Sequence, residues 1–162
     1  DALWDIYLRG HALLSEAGYQ QYETSAYAKP GYQCQHNLNY WRFGDYLGIG
    51  CGAHGKLSFS DGRILRTVKT RHPRGYMTDK YLDKQHLVED DERPFEFFMN
   101  RFRLLEPMPR SDFTRLTGLD ESVIRDKIDN ALENGYLVET EHQWQLTEKG
   151  KLFLNSLLEL FL

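Results

Sequence analysis

Apolar residues recur at helical spacing through the first part of the chain, with Leu3, Trp4, Tyr7, Leu8, His11 and Leu14 on one face and Gly18 where helices commonly end. The pattern then changes period. Residues 19–27, rich in Tyr and Thr, predict a strand after the helix, as in one αβ unit of a parallel barrel or sheet, and Lys29-Pro30-Gly31 stops it. Residues 33–43 are irregular and aromatic and read as a functional loop. Residues 45–50 predict a short buried strand running into the turn Gly50-Cys51-Gly52-Ala53-His54-Gly55, where small side chains let a ligand approach the backbone. Residues 56–59 and 63–69 flank Asp61-Gly62, a strong hairpin signal. A short helix is expected over 79–88. The acidic run Glu89-Asp90-Asp91-Glu92 and Pro94 then mark a domain boundary, giving units 1–94 and 95–162.

Past that boundary Phe95, Phe98, Met99, Phe102 and Leu105 form a helical stripe ended by Pro107 and Pro109. Residues 111–116 predict a short helix and Thr117-Gly118-Leu119 a tight turn. Asp120 caps a longer helix bearing Val123, Ile124, Ile128 and Leu132, which Gly135 terminates. Residues 136–138 and 144–146 read as two short strands around the polar tip Glu141-His142-Gln143, and Thr147 opens a last helix. Helices, a small wing and a helix make a winged-helix-like pattern.

Composition narrows what such a molecule does. With 41% hydrophobic and 14% aromatic residues, the 162-residue chain has enough apolar surface to fold. The net charge of −4 gives no global attraction to nucleic acid or anionic lipid. Residues 95–162 hold eight Lys and Arg against twelve Asp and Glu, and the helix in the recognition position, 121–134, is itself acidic. A nucleic-acid-binding winged helix is therefore the weaker reading, and a packing role or a protein-facing surface is preferred. No apolar run reaches membrane-spanning length and no secretory signal opens the chain, so a cytoplasmic protein without a transmembrane segment is expected. The missing initiator Met suggests the middle of a longer protein. Cys34 and Cys51 are expected to be reduced thiols.

Two chemistries fit the central segment. Cys34-x-His36 with Cys51-x-x-His54 supplies thiolate and imidazole donors of the kind zinc prefers, although the spacing argues only weakly for a zinc site. Heme requires less: one axial imidazole and an apolar wall, which His36 beside Tyr32, Tyr40, Trp41 and Phe43 meets. The competing reading makes those aromatics a core layer and His36 a hydrogen-bonding residue. The basic connector of residues 69–74 is either a solvated loop or a guide for heme propionates. No phosphate-binding glycine loop, nucleophile elbow or HExxH helix occurs.

His36-Asn37-Leu38-Asn39-Tyr40-Trp41 is similar to the HNxxYW signature of the heme-chaperone branch of the oxygen-independent coproporphyrinogen III oxidase-like, radical S-adenosylmethionine family. The segments 22–31, 45–50, 52–54 and 146–162 resemble the same family, so the likeness spans essentially the whole chain. It implies the terminal strands and helices of an incomplete TIM-like α/β barrel, followed from about Phe95 by an α+β winged-helix-like domain. It also implies heme as ligand, with His36 as the metal ligand and Asn37, Tyr40 and Trp41 shaping its site. Glu23, Ser25, Gly48, Gly50, Gly52, Ala53 and His54 are implied to border the cofactor or substrate cavity, and acceptor hemoproteins are the implied partners. The family's CxxxCxxC motif, which holds a 4Fe-4S cluster with S-adenosylmethionine, is absent here, and two cysteines cannot supply its three thiolates. This chain alone is thus not expected to be an enzyme. A radical decarboxylase acting on coproporphyrinogen is the alternative for the parent protein. Strand edges and apolar surface left open by an incomplete barrel lead us to expect either pairing with a second copy as a homo-oligomer or only marginal folding of this piece alone.

Overall fold

The computed structural model describes residues 2–162; Asp1 lies outside the described residues. Helix α1, Ala2–Glu16, forms as its spacing predicts, and Gly18 ends it at φ 82°, a backbone angle that suits glycine. None of its side chains is buried, and Ile6 and Leu13 are each 67% exposed. An amphipathic helix that buries nothing is one whose apolar face has no cover within this chain.

The single strand expected over 19–27 is instead a hairpin. Strand β1, Gln20–Glu23, turns at Thr24 and Ser25 and pairs antiparallel with β2, Ala26–Ala28. The turn is held from outside, because both the amide and the hydroxyl of Thr24 donate to the Arg103 carbonyl. The segment expected to be a loop holds helix α2, Gln35–Trp41. No glycine, proline or β-branched residue interrupts residues 33–42, so local hydrogen bonds win, and Leu38 anchors the helix in the interior. Buried Phe43, at φ 61°, and Gly44 then reverse the chain.

The buried strand expected at 45–50 is reduced to one bridge between Tyr46 and Lys56, and Leu47 and Ile49 are 73% and 83% exposed. Strands β3, His54–Ser58, and β4, Ile64–Lys69, form the expected hairpin around Asp61-Gly62. Helix α3, Pro73–Tyr76, occupies the basic connector. The helix expected at 79–88 is strand β5, Leu82–Leu87, which completes an antiparallel sheet ordered β3-β4-β5. Its side chains are all exposed, so pairing to the free edge of β4, with Leu65 opposite Leu87, overrides local helical preference.

Helix α4, Arg93–Arg101, buries Pro94, Phe97 and Phe98. The expected stripe is thus rotated: Met99 is exposed, Phe95 half-buried, and Phe97, which the spacing missed, is central. Strand β6, Met108–Pro109, leads to helix α5, Ser111–Thr117, ended by Gly118 at φ 73°. Asp120 caps a 3-10 turn, Glu121–Ile124, by accepting from the Ser122 amide, and helix α6, Arg125–Glu133, continues from it. Strands β7, Leu137–Glu139, and β8, Gln143–Leu146, join β6 in a sheet ordered β6-β8-β7. Thr147 caps helix α7, Glu148–Leu152, and a break at Phe153 separates it from α8, Leu154–Glu159. A Cβ at Gly150 would lie 2.1 Å from the Tyr136 carbonyl oxygen, so α7 packs against the backbone just before β7 only with glycine there.

The core is aromatic and lies mainly in the second half, where Phe97, Phe98, Phe113, Trp144 and Phe161 interlock with Ile124, Ile128 and Leu157. Phe43, Ile64 and Val88 join it from the first half. The molecule is a mixed α/β fold. Every strand pairing is antiparallel, and no closed barrel is present among the described residues.

Candidate functional site

Four of the expected site residues lie on α2, and the helix divides them between two faces. His36 and Tyr40 are one turn apart, so their rings meet edge-on at 4.5 Å and 88°. Tyr40 in turn meets Tyr46 at 4.3 Å. The Tyr46 hydroxyl accepts from Arg66 Nη1 at 3.0 Å, and Arg66 is gripped by Glu96 through Nε at 3.0 Å and Nη2 at 2.5 Å. An ordered series of contacts therefore runs from α4 to His36. The His36 ring is exposed, and neither nitrogen has a hydrogen-bond partner among the described residues.

Beside this row, Tyr40, Tyr46, Leu47, Gly48, Ile49, Gly52, Ala53 and His54 line an open groove of about 430 Å³. Glycine makes its wall thin. A Cβ on Gly48 would lie 2.3 Å from the His54 carbonyl oxygen, so no larger residue fits without displacing the strand start. The Gly50 amide donates to the Tyr76 hydroxyl at 3.0 Å, and the Gly52 amide to the Thr70 carbonyl at 3.0 Å.

The opposite face of α2 is structural. Asn37 Nδ2 donates to the Tyr22 hydroxyl at 3.2 Å. The Arg103 guanidinium lies 4.4 Å from the centre of the Trp41 ring and donates to Glu23 at 3.1 Å and to Ser25 at 3.2 Å, while the Ser25 hydroxyl donates to Glu23. Glu23 and Ser25 thus hold the arginine beneath Trp41 and are not among the groove-lining residues. The Trp41 indole N–H is buried without a partner.

Lys56 fixes the chain between helix and groove. Its ammonium donates to the Phe43 carbonyl at 3.0 Å, Asp45 at 3.1 Å and Ser58 at 2.9 Å, and lies 4.1 Å above the Phe43 ring. Burial pushes the Lys56 pKa below its ordinary value, against the opposing pull of Asp45. Burial raises the Asp45 pKa, but hydrogen bonds from Ser58 and Lys56 outweigh it and leave that carboxyl below its ordinary value.

The donor set decides which groups fit. Cys34 and Cys51 are exposed free thiols, and the described residues contain no group of three or more His, Cys, Asp or Glu side chains able to hold a metal ion. Neither zinc held by the Cys–His quartet nor an iron–sulfur cluster fits this chain. A free imidazole beside an aromatic and glycine-lined groove does fit one axial bond to a porphyrin iron. Sequence reading missed Tyr46, Leu47, Ile49, Arg66 and Arg103. Tyr46 was hidden inside an expected buried strand, and the two arginines lie far along the chain from the rings they position.

Residues 88–153 match the family described as HemN C-terminal domain. The chain is thus similar to proteins that carry this domain. Within them its relatives are heme chaperones: all 162 residues align at 72% identity with the heme chaperone HemW of Escherichia coli strain K12, covering 43% of that protein. The HemW of Haemophilus influenzae is 63% identical over the same span, covering 42% of its length, and that of Bacillus subtilis 31% identical over 156 residues, which are 90% of this chain and 38% of that protein. The chain therefore spans less than half the length of the relatives it matches. The solved structure of E. coli coproporphyrinogen III oxidase (HemN), described as a radical SAM enzyme, has a TM-score of 0.66 at 15% identity, covering 98% of this chain and 40% of that one. That likeness establishes a shared fold.

Proposed function

We propose that this chain is the C-terminal part of a radical S-adenosylmethionine heme chaperone, which holds heme on His36 and passes it to acceptor hemoproteins in the cytoplasm. The observation that carries the reading is the His36 imidazole, exposed, without a hydrogen bond among the described residues and set against Tyr40. Tyr40 orients that ring, and Asn37 and Trp41 fix the helix from behind. A 4Fe-4S cluster and S-adenosylmethionine belong to the portion of the parent that this chain does not span, since no thiolate set here can hold them. Heme supplies the iron that the imidazole binds.

Residues 1–94 are proposed as the end of the barrel, whose missing part covers the exposed face of α1, and residues 95–162 as a winged-helix-like packing domain. Charge supports packing over nucleic-acid binding: Arg125 on α6 is already held by Asp129 and Glu139, and Lys127 donates to the Leu162 carbonyl. No helix among the described residues is long and apolar enough to cross a membrane.

Heme titration of the full-length parent, with and without His36→Ala, tests the assignment. The substitution should weaken binding and shift the absorption spectrum. An unchanged spectrum and affinity remove His36 from the role, and protoporphyrinogen formed in anaerobic turnover would replace the chaperone with an oxidase.

A further inference from the structure

The groove is flanked by the basic connector of residues 69–74. Its turn, Gly50 to Ala53, is fastened along one side to the start of the basic connector: Lys69 donates its amide to the Ala53 carbonyl at 2.8 Å, and Gly52 donates to Thr70. Arg71 follows directly. A Cβ on Gly52 would lie 3.9 Å from both Cα and Cγ of Arg71, so this side chain leaves the backbone against the groove wall. Arg74 lies on the short helix α3, which is tied to the same wall by the hydrogen bond from Gly50 to Tyr76.

Arg71 and Arg74 are exposed and make no ion pair among the described residues, whereas Arg42, Arg63, Arg66, Arg93, Arg101, Arg103, Arg110, Arg115 and Arg125 each do. Leu47 and Ile49, among the most exposed large apolar residues of the molecule, stand on the same groove. Aromatic rings and two exposed aliphatic side chains thus line one concavity, and two arginines without an ion pair among the described residues stand on the segment fastened to its wall. That combination complements a flat apolar body with anionic groups along an edge.

We propose that Arg71 and Arg74 bind the carboxylates of a porphyrin whose ring lies on Tyr40, Leu47 and Ile49. The inference rests on the heme reading of the groove and adds to it the recognition of the ligand's acidic edge. Guanidinium presents paired donors to a carboxylate, so these contacts set the orientation of the ring as well as its affinity.

The experiment titrates the full-length parent with hemin and, separately, with hemin dimethyl ester, whose carboxylates are masked. Wild type is compared with Arg71→Gln/Arg74→Gln and with Leu47→Ser/Ile49→Ser; all four residues are exposed, so both variants should fold. The double Gln variant should lose about tenfold or more in hemin affinity, keep the wild-type absorption spectrum, and bind the ester as wild type does. The double Ser variant should weaken both ligands. Equal hemin affinity in wild type and the Gln variant, or equal loss for hemin and ester, overturns the rim assignment while leaving His36 ligation intact. Ser variants that bind like wild type remove Leu47 and Ile49 from the ring-binding surface. Failure of the wild type to bind hemin at all would sink the underlying reading together with the rim.

Discussion

The two halves of this molecule use the same kind of residue for opposite purposes. After Arg93, aromatic side chains turn inward: Phe98 contacts Phe97, Phe102, Phe113, Trp144 and Phe161 with ring centroids 4.2 to 6.0 Å apart. Before it, Trp4 and Tyr7 stack on each other on the surface, His36 meets Tyr40 edge-on beside an open groove, and α1 buries nothing. Aromatic content therefore measures capacity to bury surface, and only placement decides between core and binding site. Residues 2–92 leave much of their apolar surface uncovered by this chain, with Leu3, Ile6, Leu13, Leu47 and Ile49 all exposed.

The sharpest test of that contrast is a pair of truncations. Phe98→Ala removes the hub of the core and should cost about 4 kcal/mol in urea unfolding. Ile6→Ala on α1 should change this chain's stability by less than about 0.5 kcal/mol, because the side chain gives up little burial and alanine favours the helix. Comparable losses would show that α1 is packed in solution. Next in size is Lys56→Met, which keeps the apolar stem over Phe43 but leaves the Phe43 carbonyl and Asp45 without their shared donor; a loss of about 3 kcal/mol is expected. Burial holds the folded Lys56 pKa below its ordinary 10.5. The unfolded chain thus keeps the proton more tightly, and wild-type stability relative to the Met variant should rise as pH climbs through the folded value towards 10.5.

What was legible in the sequence follows the range of the forces involved. Local signals read true: Gly18 and Gly118 stopping helices, Asp61-Gly62 closing a hairpin, Asp120 and Thr147 capping. Two of the errors share one cause, a partner distant in sequence. Residues 82–87 are a strand because the edge of β4 is free to pair, and residues 20–28 are a hairpin because Arg103 holds the turn. At the site, the signature residues share α2, and the helix divides them between two faces that the sequence alone does not separate. Glu23 and Ser25 bond Arg103 and lie outside this groove, and Tyr46 and Arg66, which order the rings, emerge only from contacts between elements.

Gly48→Ala probes how far the groove depends on close backbone approach. The new methyl would meet the His54 carbonyl, costing about 2 kcal/mol and displacing the wall that Leu47 and Ile49 flank. Hemin affinity of the full-length parent should fall with it. Stability lost without a change in affinity would place the ligand away from this wall.

The smallest expected effect tests whether the two halves communicate. Arg42, directly after α2, donates from Nε at 2.8 Å and Nη2 at 2.7 Å to Glu106, which lies just beyond the aromatic helix α4. That bidentate bond holds the Glu106 carboxyl below its ordinary 4.5 despite the opposing effect of partial burial. The contribution is fully present above about pH 4.5 and is lost as pH falls through the lower, folded value. Both groups face water, so screening keeps the stabilisation small. Arg42→Ala should cost about 0.5 kcal/mol at neutral pH and low salt, and less at 1 M salt. In acid the variant and wild type should converge. A loss several times larger, independent of salt and accompanied by altered hemin binding, would mean that the orientation of α2 is set by the C-terminal half, and the two regions would then form one functional unit.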